Sequence, residues 1–302
     1  MPHQFNFLGK AKYFVPISLT LVVASILLLL PQVRGLNPGI DFTGGSEFIV
    51  KFAEPVDTAA VRSALATVSA KDVDLSKSVI QDVAGTNTKV ITAQLLDVEA
   101  HQSVVDKIES TLEEQFSVVD ISRRSIGAQI SRELTEKGWQ AILLAVVVIL
   151  VYVSWRFRLR YAVGAVAAIL HDVIIALGIF ALFRIEVNLA TIAAFLTIVG
   201  YSLNDTIVIF DRVRENLSIE KKKPIFEIIN LSTNQSLSRT LNTSFTTFIP
   251  VIILFLFGGT VLRGFSIALL IGVIVGTYSS MYISNPILYA WASKVGGTKR
   301  SK

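Results

Sequence analysis

Apolar residues gather into six long runs, at about 13–31, 138–156, 161–183, 188–210, 240–258 and 264–290. Each approaches the roughly 20 residues that a helix needs to cross about 30 Å of hydrocarbon. The pattern predicts a polytopic α-helical membrane protein with six transmembrane helices, the last long enough to tilt or to end in an interfacial helix. The first run follows Lys10 and Lys12 as a secretory leader would, but it is long for one, and Leu29-Leu30-Pro31-Gln32 offers no small-residue cleavage site. It reads as a retained helix.

Between the first two runs the periodicity changes. Glu47 to Phe52 reads as a strand, and Asp57 can N-cap a helix to about Ser69 with Ala60, Val61, Ala64, Leu65 and Val68 on one face. Ser78–Val83 and Lys89–Leu95 flank Gly85-Thr86-Asn87 as a hairpin. A second helix from about Glu99 to Gln115 carries Val104, Val105, Ile108 and Leu112 at helical spacing, and Phe116 to Ile121 closes as a fourth strand. The order β-α-β-β-α-β predicts an α+β, ferredoxin-like domain between the first and second helices. The expected organisation is 1–31, N-terminus and first helix; 32–137, the extramembrane domain with its linkers; 138–290, a five-helix region; and 291–302, a tail.

Composition agrees with this division. Of 302 residues 52% are hydrophobic and 17% charged, with mean hydropathy +0.60, too apolar for a soluble chain of this length. The net charge of +5 comes from cations beside the spans and is not read as a nucleic-acid footprint. Lys10, Lys12, Arg156, Arg158, Arg160, Arg212, Arg214, Lys221, Lys222, Lys223, Lys294, Lys299, Arg300 and Lys302 fall on one side, against Arg184 and Arg263 in the opposite short loops. The bias puts both termini in the cytoplasm and 32–137 across the membrane. That segment holds 16 acidic and 11 basic residues, dispersed, as on the solvated surface of a binding or positioning module. With no cysteine and only His3, His101 and His171, no metal site is expected.

Asn37 to Ser46 contains Pro38, Gly39, Asp41, Phe42, Gly44 and Gly45, residues suited to tight turns at a membrane mouth. The run has neither the G-x-G-x-x-G order nor a G-K-[ST] ending, and no other stretch supplies a nucleotide motif. No cofactor and no hydrolytic activity are expected.

Chemistry concentrates in the few polar residues of the spans. Asp205 stands among apolar neighbours in 198–210, where a carboxylate costs roughly 2.5 to 3.5 kcal/mol on insertion scales and typically marks an ion or proton path. Asp172 lies roughly 16 Å, and Asp205 roughly 9 Å, from the cytoplasmic end of its helix. Arg239, Asn242, Thr243, Thr246 and Thr247 recur at helical spacing as one polar stripe. Arginine keeps its proton, so Arg239 can hold a carboxylate ionised and release it when helices move. Plainer readings stand beside each: Arg239 snorkelling to the headgroups, Asp205 as a packing contact with Tyr201 and Ser202 as local partners, and Asp172 as a structural acceptor. Adjacent His171 points about 100° away around the helix. Gly272 and Gly276 read as a close helix contact.

Four runs carry a family likeness: Pro38 to Gly45, Leu203-Asn204-Asp205-Thr206 onward to Asn216, Ser238 to Ser244, and Leu262 to Ser266 with Gly272 to Gly276. In that order, over nearly the whole chain, they resemble the SecF family of protein-export membrane proteins, of the resistance-nodulation-division type. The resemblance implies a bacterial cytoplasmic (inner) membrane location, a periplasmic domain after the first helix and an obligate partner, SecD. It implies late preprotein translocation through the Sec channel, driven by the proton motive force, with protons as coupling ion and an unfolded preprotein met in the periplasm. It places functional weight on Asp205 and Arg239. Asn204 and Asp172 join them as candidates for a proton pathway whose other principal acid belongs to SecD. Two other functions remain open from the residues: a half-sized proton-driven exporter of small molecules or lipids, and a scaffold without an energetic role.

Overall fold

A computed structural model of the chain describes residues 5–68, 75–83, 85–93 and 102–297. The expected helix end at Ser69, strand end at Gln94 and Leu95 and helix start at Glu99 lie outside the described residues, as do His3, His101, Lys299, Arg300 and Lys302. The described residues form two compact units: Pro38–Ala141, and Met1–Asn37 with Ile142–Lys302.

The extramembrane unit begins after β1 (Asn37–Pro38) with the short α2 (Ile40–Thr43) and continues through β2 (Gly45–Phe52), α3 (Thr58–Val68), a 3-10 turn (Leu75–Lys77), β3 (Val79–Val83), β4 (Thr88–Ala93), α4 (Gln102–Gln115) and β5 (Val118–Ile126). The antiparallel sheet has the order β3-β4-β2-β5, the split β-α-β arrangement expected from the sequence. Asp57 accepts a 3.3 Å hydrogen bond from the amide of Ala59 at the start of α3. Val61 and Leu65 of α3 pack with Val104, Val105, Ile108 and Leu112 of α4 and with Phe48, Val50 and Ile91 of the sheet, and Ala64 is buried beside them in α3. Ala60 is exposed, contrary to expectation. It falls at the rim of the apolar stripe, where a single methyl gains little by burial. Gly85 takes φ +81° in the β3–β4 turn, a left-handed conformation that glycine adopts without strain. The fourth strand runs on to Ile126, beyond the expected Ile121, because Ile121 to Ile126 continue the pairing with Gly45 to Val50.

Among the described residues six helices are long and apolar enough to cross a membrane. They are α1 (Phe7–Leu29), α5 (Ala128–Arg156), α6 (Leu159–Phe183), α7 (Leu189–Ile219), α8 (Ile225–Phe257) and α9 (Gly259–Tyr282), the last followed past Ile283 by α10 (Ser284–Gly297). The extended pair β6 (Glu186–Val187) links α6 to α7. Helices α6, α7 and α9 are buried along much of their length, whereas α1, α5 and α8 turn most of their surface outward. Two apolar clusters hold the bundle, one around Tyr161, Phe210, Val213 and Ile229, the other around Phe180, Phe195, Ile198 and Ala268.

Hydropathy marks apolar stretches and not helices, and two starts move accordingly. Helix α5 begins at Ala128 instead of near 138, since its first turns are built of helix formers such as Arg132, Glu133 and Leu134. Helix α8 begins at Ile225 instead of near 240. Its polar first half is satisfied by neighbours: Asn216 donates to Ser232 Oγ and Gln235 Oε1, both at 2.8 Å, and Asn285 donates to Thr233 Oγ1 at 3.0 Å. Asn188 and Thr191 cap α7 reciprocally, at 3.0 and 2.9 Å.

Candidate functional site

The run from Pro38 to Gly45 folds as a structural corner. Gly44 closes α2 with φ 71° and ψ 173°, a region essentially closed to side-chain-bearing residues, and a Cβ there would meet Ala128 Cα and Ile126 O at 3.5 Å. Asp41 is 4% exposed and accepts from Arg124 Nη1 at 3.2 Å, while Arg124 Nε reaches Glu47 Oε2 at 3.3 Å. Burial pushes the Glu47 carboxyl above its ordinary range, and the neighbouring Arg124 guanidinium partly offsets that rise.

In the membrane unit Asp205 is buried on α7, 2% exposed. Its Oδ2 finds no hydrogen-bond partner, an expensive state for a polar atom shut away from water. The expected local partners do not serve it. Ser202 directs its hydroxyl to Asp172, and the buried hydroxyl of Tyr201 is unpartnered. Arg239 is not in contact with Asp205 either, because among the described residues no ion pair within 4.0 Å includes them. Arg239 belongs to the neighbouring helix α8, where it lines a cleft together with Asn204, the residue before Asp205.

Arg239 sits near the middle of α8, about 21 Å along it from Ile225, and is exposed. It lines a cleft of about 460 Å³ with Asn204, Asp211 and Glu215. It also lines one of about 530 Å³ with Ser238, Asn242, Thr243 and Thr246. The polar stripe is therefore a real surface, with Asn242 and Thr246 exposed and Thr243 and Thr247 half-buried. Thr243 and Thr246 return their hydroxyls to the carbonyls of Arg239 and Asn242, at 2.5 and 2.9 Å. Sequence spacing did not show that the adjacent face of α8 makes the contact with α9, where Ser244 Oγ and Thr277 Oγ1 stand 2.6 Å apart. At the near end of α7, Asp211 pairs with Arg156 and with Arg214, the latter at 3.4 Å.

The strongest polar cluster surrounds Asp172 on α6, 1% exposed. Ser202 of α7 and Ser279 of α9 both donate to its Oδ2, at 2.5 and 2.7 Å. His171 Nδ1 lies 2.8 Å from Oδ1. The angular argument that separates His171 from Asp172 fails because it places Cβ atoms, whereas both side chains can fold back toward one another. The two glycines explain why α7 and α9 come so close. A Cβ on Gly272 would run into the side chain of Ile198, and one on Gly276 would lie 3.2 Å from Ser202 Cβ. Among the described residues no group of His, Cys, Asp and Glu is arranged to hold a metal ion.

Comparison with known proteins covers both units. The family described as protein export membrane protein SecD/SecF, C-terminal, matches residues 106–294, and the SecD/SecF GG motif matches 33–56. Protein translocase subunit SecF of Petrotoga mobilis is 38% identical, covering 100% of this chain and 98% of that protein. The subunit of the same description from Desulfurispirillum indicum is 42% identical over 96% and 92%. Among solved structures, SecDF of Thermus thermophilus, described as a translocon-associated membrane protein, is 34% identical with TM-score 0.85, covering 97% of this chain. SecDF in a super-membrane-facing form gives 34% identity and TM-score 0.69 over the whole chain. This chain spans 39% and 40% of those two SecDF chains. With the corner at Gly44, the six spans and the intramembrane acids in one order, and relatives matched end to end, this chain belongs to the SecF family of protein translocase subunits.

Proposed function

We propose that the chain is the proton-responsive SecF half of a SecD-containing assembly, which draws on the proton motive force to promote late translocation and release of preproteins. Asp205 carries the reading. A carboxylate enclosed in a span with one oxygen unpartnered is poised to gain and lose a proton, and a fixed cation on the facing helix supplies the opposing charge. Asn204, next to Asp205 in sequence, and Arg239 line one cleft, and the stripe of Asn242, Thr243, Thr246 and Thr247, exposed at Asn242 and Thr246, provides polar surface that hydrocarbon would disfavour. A second chain of similar architecture, SecD, or water between the two chains, is its natural cover. The proton is the coupling ion, and no cofactor or nucleotide chemistry is required of this subunit.

In this reading both termini face the cytoplasm and 32–137 faces the periplasm, where the ferredoxin-like module meets the emerging, unfolded preprotein. The energy is sufficient: moving one charge through about 100 mV releases about 2.3 kcal/mol, a bias of roughly fiftyfold between two domain orientations. The test is Asp205→Asn in proton-energised vesicles containing SecD and the Sec channel. Stimulation of preprotein release is lost while the complex still assembles; full stimulation in the variant overturns the reading. Export that survives charge removal at both Asp205 and Arg239, yet stops on deletion of the chain, identifies a scaffold instead.

A further inference from the structure

The carboxylate of Asp172 belongs to a closed polar centre whose hydrogen bonds run to His171, Ser202 and Ser279. Asp172 and His171 are 1% and 6% exposed, so neither is bathed in bulk water. The two serine hydroxyls point at Oδ2 and the imidazole Nδ1 at Oδ1. A neutral imidazole with its hydrogen on Nδ1 completes these bonds and leaves Nε2 with a bare lone pair. That nitrogen is buried and finds no partner. Tyr278, whose ring stacks on His171 with centroids 6.1 Å apart, does not supply one. Its hydroxyl donates to Phe14 O at 2.9 Å and lies 2.7 Å from Ser18 Oγ, which engages it with α1.

In this arrangement the pair is one proton short of its neutral form. One added proton makes the pair neutral, and the geometry offers a place for it. Ser279 Oγ also lies 3.2 Å from Gly276 O. If the proton binds to Oδ2, that oxygen becomes a donor to Ser279 Oγ, and the serine turns its own hydrogen to Gly276 O. No bond other than the O–H bond forms, and a deprotonation step returns the same proton. The charged and titratable groups around the centre are His171 on α6 itself, Tyr278 on α9, and Asp205 one turn along α7 from Ser202; Ser18 of α1 adds only a hydroxyl.

We propose that His171 and Asp172 form a second proton-binding centre in the membrane unit, separate from Asp205, with Ser279 as the hydroxyl that reverses direction when the proton is bound. Because Ser202 and Ser279 bring α7 and α9 to the same oxygen of α6, occupancy of this centre alters the hydrogen bonds that join three helices. The inference rests on the proton-coupled reading for its purpose, while its test reads the proton directly.

The experiment is infrared difference spectroscopy of the full chain in lipid nanodiscs, stepped between about pH 4 and pH 9, for the wild type and four variants. The expected acid-minus-base spectrum contains a carboxylic C=O stretch that is lost in Asp172→Asn and retained in Asp205→Asn. In Ser279→Ala that stretch changes frequency because its hydrogen-bond partner on Oδ2 is gone, and in His171→Gln it changes because the imidazole contact to Oδ1 is gone. A wild-type spectrum that Asp172→Asn and His171→Gln both leave unchanged overturns the proposal. Should those two variants fail to fold, Ser279→Ala decides: an unshifted spectrum rejects the centre. Either result stands apart from the vesicle assay of Asp205→Asn, so the two proposals fail separately.

Discussion

Ser202 donates a 2.5 Å hydrogen bond to Asp172 Oδ2 across the α6–α7 contact, three residues before Asp205 on the same helix. The serine nearest in sequence to the unpartnered carboxylate therefore serves a different acid. Asp172 has its acceptors filled and Asp205 has an oxygen left over, which separates two intramembrane carboxylates of the same residue type by environment alone.

Arg239 is exposed and makes no ion pair among the described residues, so its removal acts on function more than on folding. Arg239→Gln is expected to lower proton-driven stimulation of preprotein release by about tenfold, equivalent to about 1.4 kcal/mol, through loss of the fixed cation that α8 presents beside Asn204. Thermal unfolding of the purified chain should stay unchanged. A large drop in thermal stability with normal stimulation would contradict this assignment.

Gly272→Ala inserts a methyl group against Ile198 where α9 meets α7. Overpacking of this kind costs about 1 to 3 kcal/mol, so the midpoint of unfolding in detergent should fall. Ile198→Ala in the same chain should recover part of the loss, because it empties the space that the methyl enters.

At the corner, Gly44→Ala forces a side-chain-bearing residue into φ 71° and ψ 173°. Strain of about 1 to 3 kcal/mol is expected. Limited proteolysis of the full chain should cut faster in residues 38–141, with the membrane helices unaffected.

Glu47 gives the extramembrane unit a defined pH response. Its raised carboxyl means that the folded state holds this proton more tightly than the unfolded chain does. Stability from this group is therefore present below the unfolded value, near 4.5, and declines as pH rises through the folded one. Glu47→Gln should flatten that part of the stability profile, measured by urea unfolding of the full chain at a series of pH values. An unchanged slope would show that Glu47 does not set it.

Much of this architecture is legible in the chain because its causes are local. Hydrocarbon thickness fixes the length of an apolar run, and the alternation around Phe48 and the helical spacing of Val104 to Leu112 follow from backbone period. The β-α-β-β-α-β order, the six spans and the family likeness need nothing more. Asp205 and Arg239 also stand out from sequence, since a charge among apolar neighbours is visible without coordinates.

Partnership is what the sequence could not settle. Whether Tyr201 and Ser202 or some other residue completes Asp205, and whether His171 turns toward Asp172, depends on which side chains three different helices bring to one point. That is decided by packing: Gly272 and Gly276 let α9 approach α7 until Ser202 and Ser279 share one oxygen of Asp172. The chain by itself determined which groups must be kept from lipid. Only the tertiary structure decided which of them are satisfied, because hydrogen bonds between distant segments form where close packing leaves room for them and nowhere else.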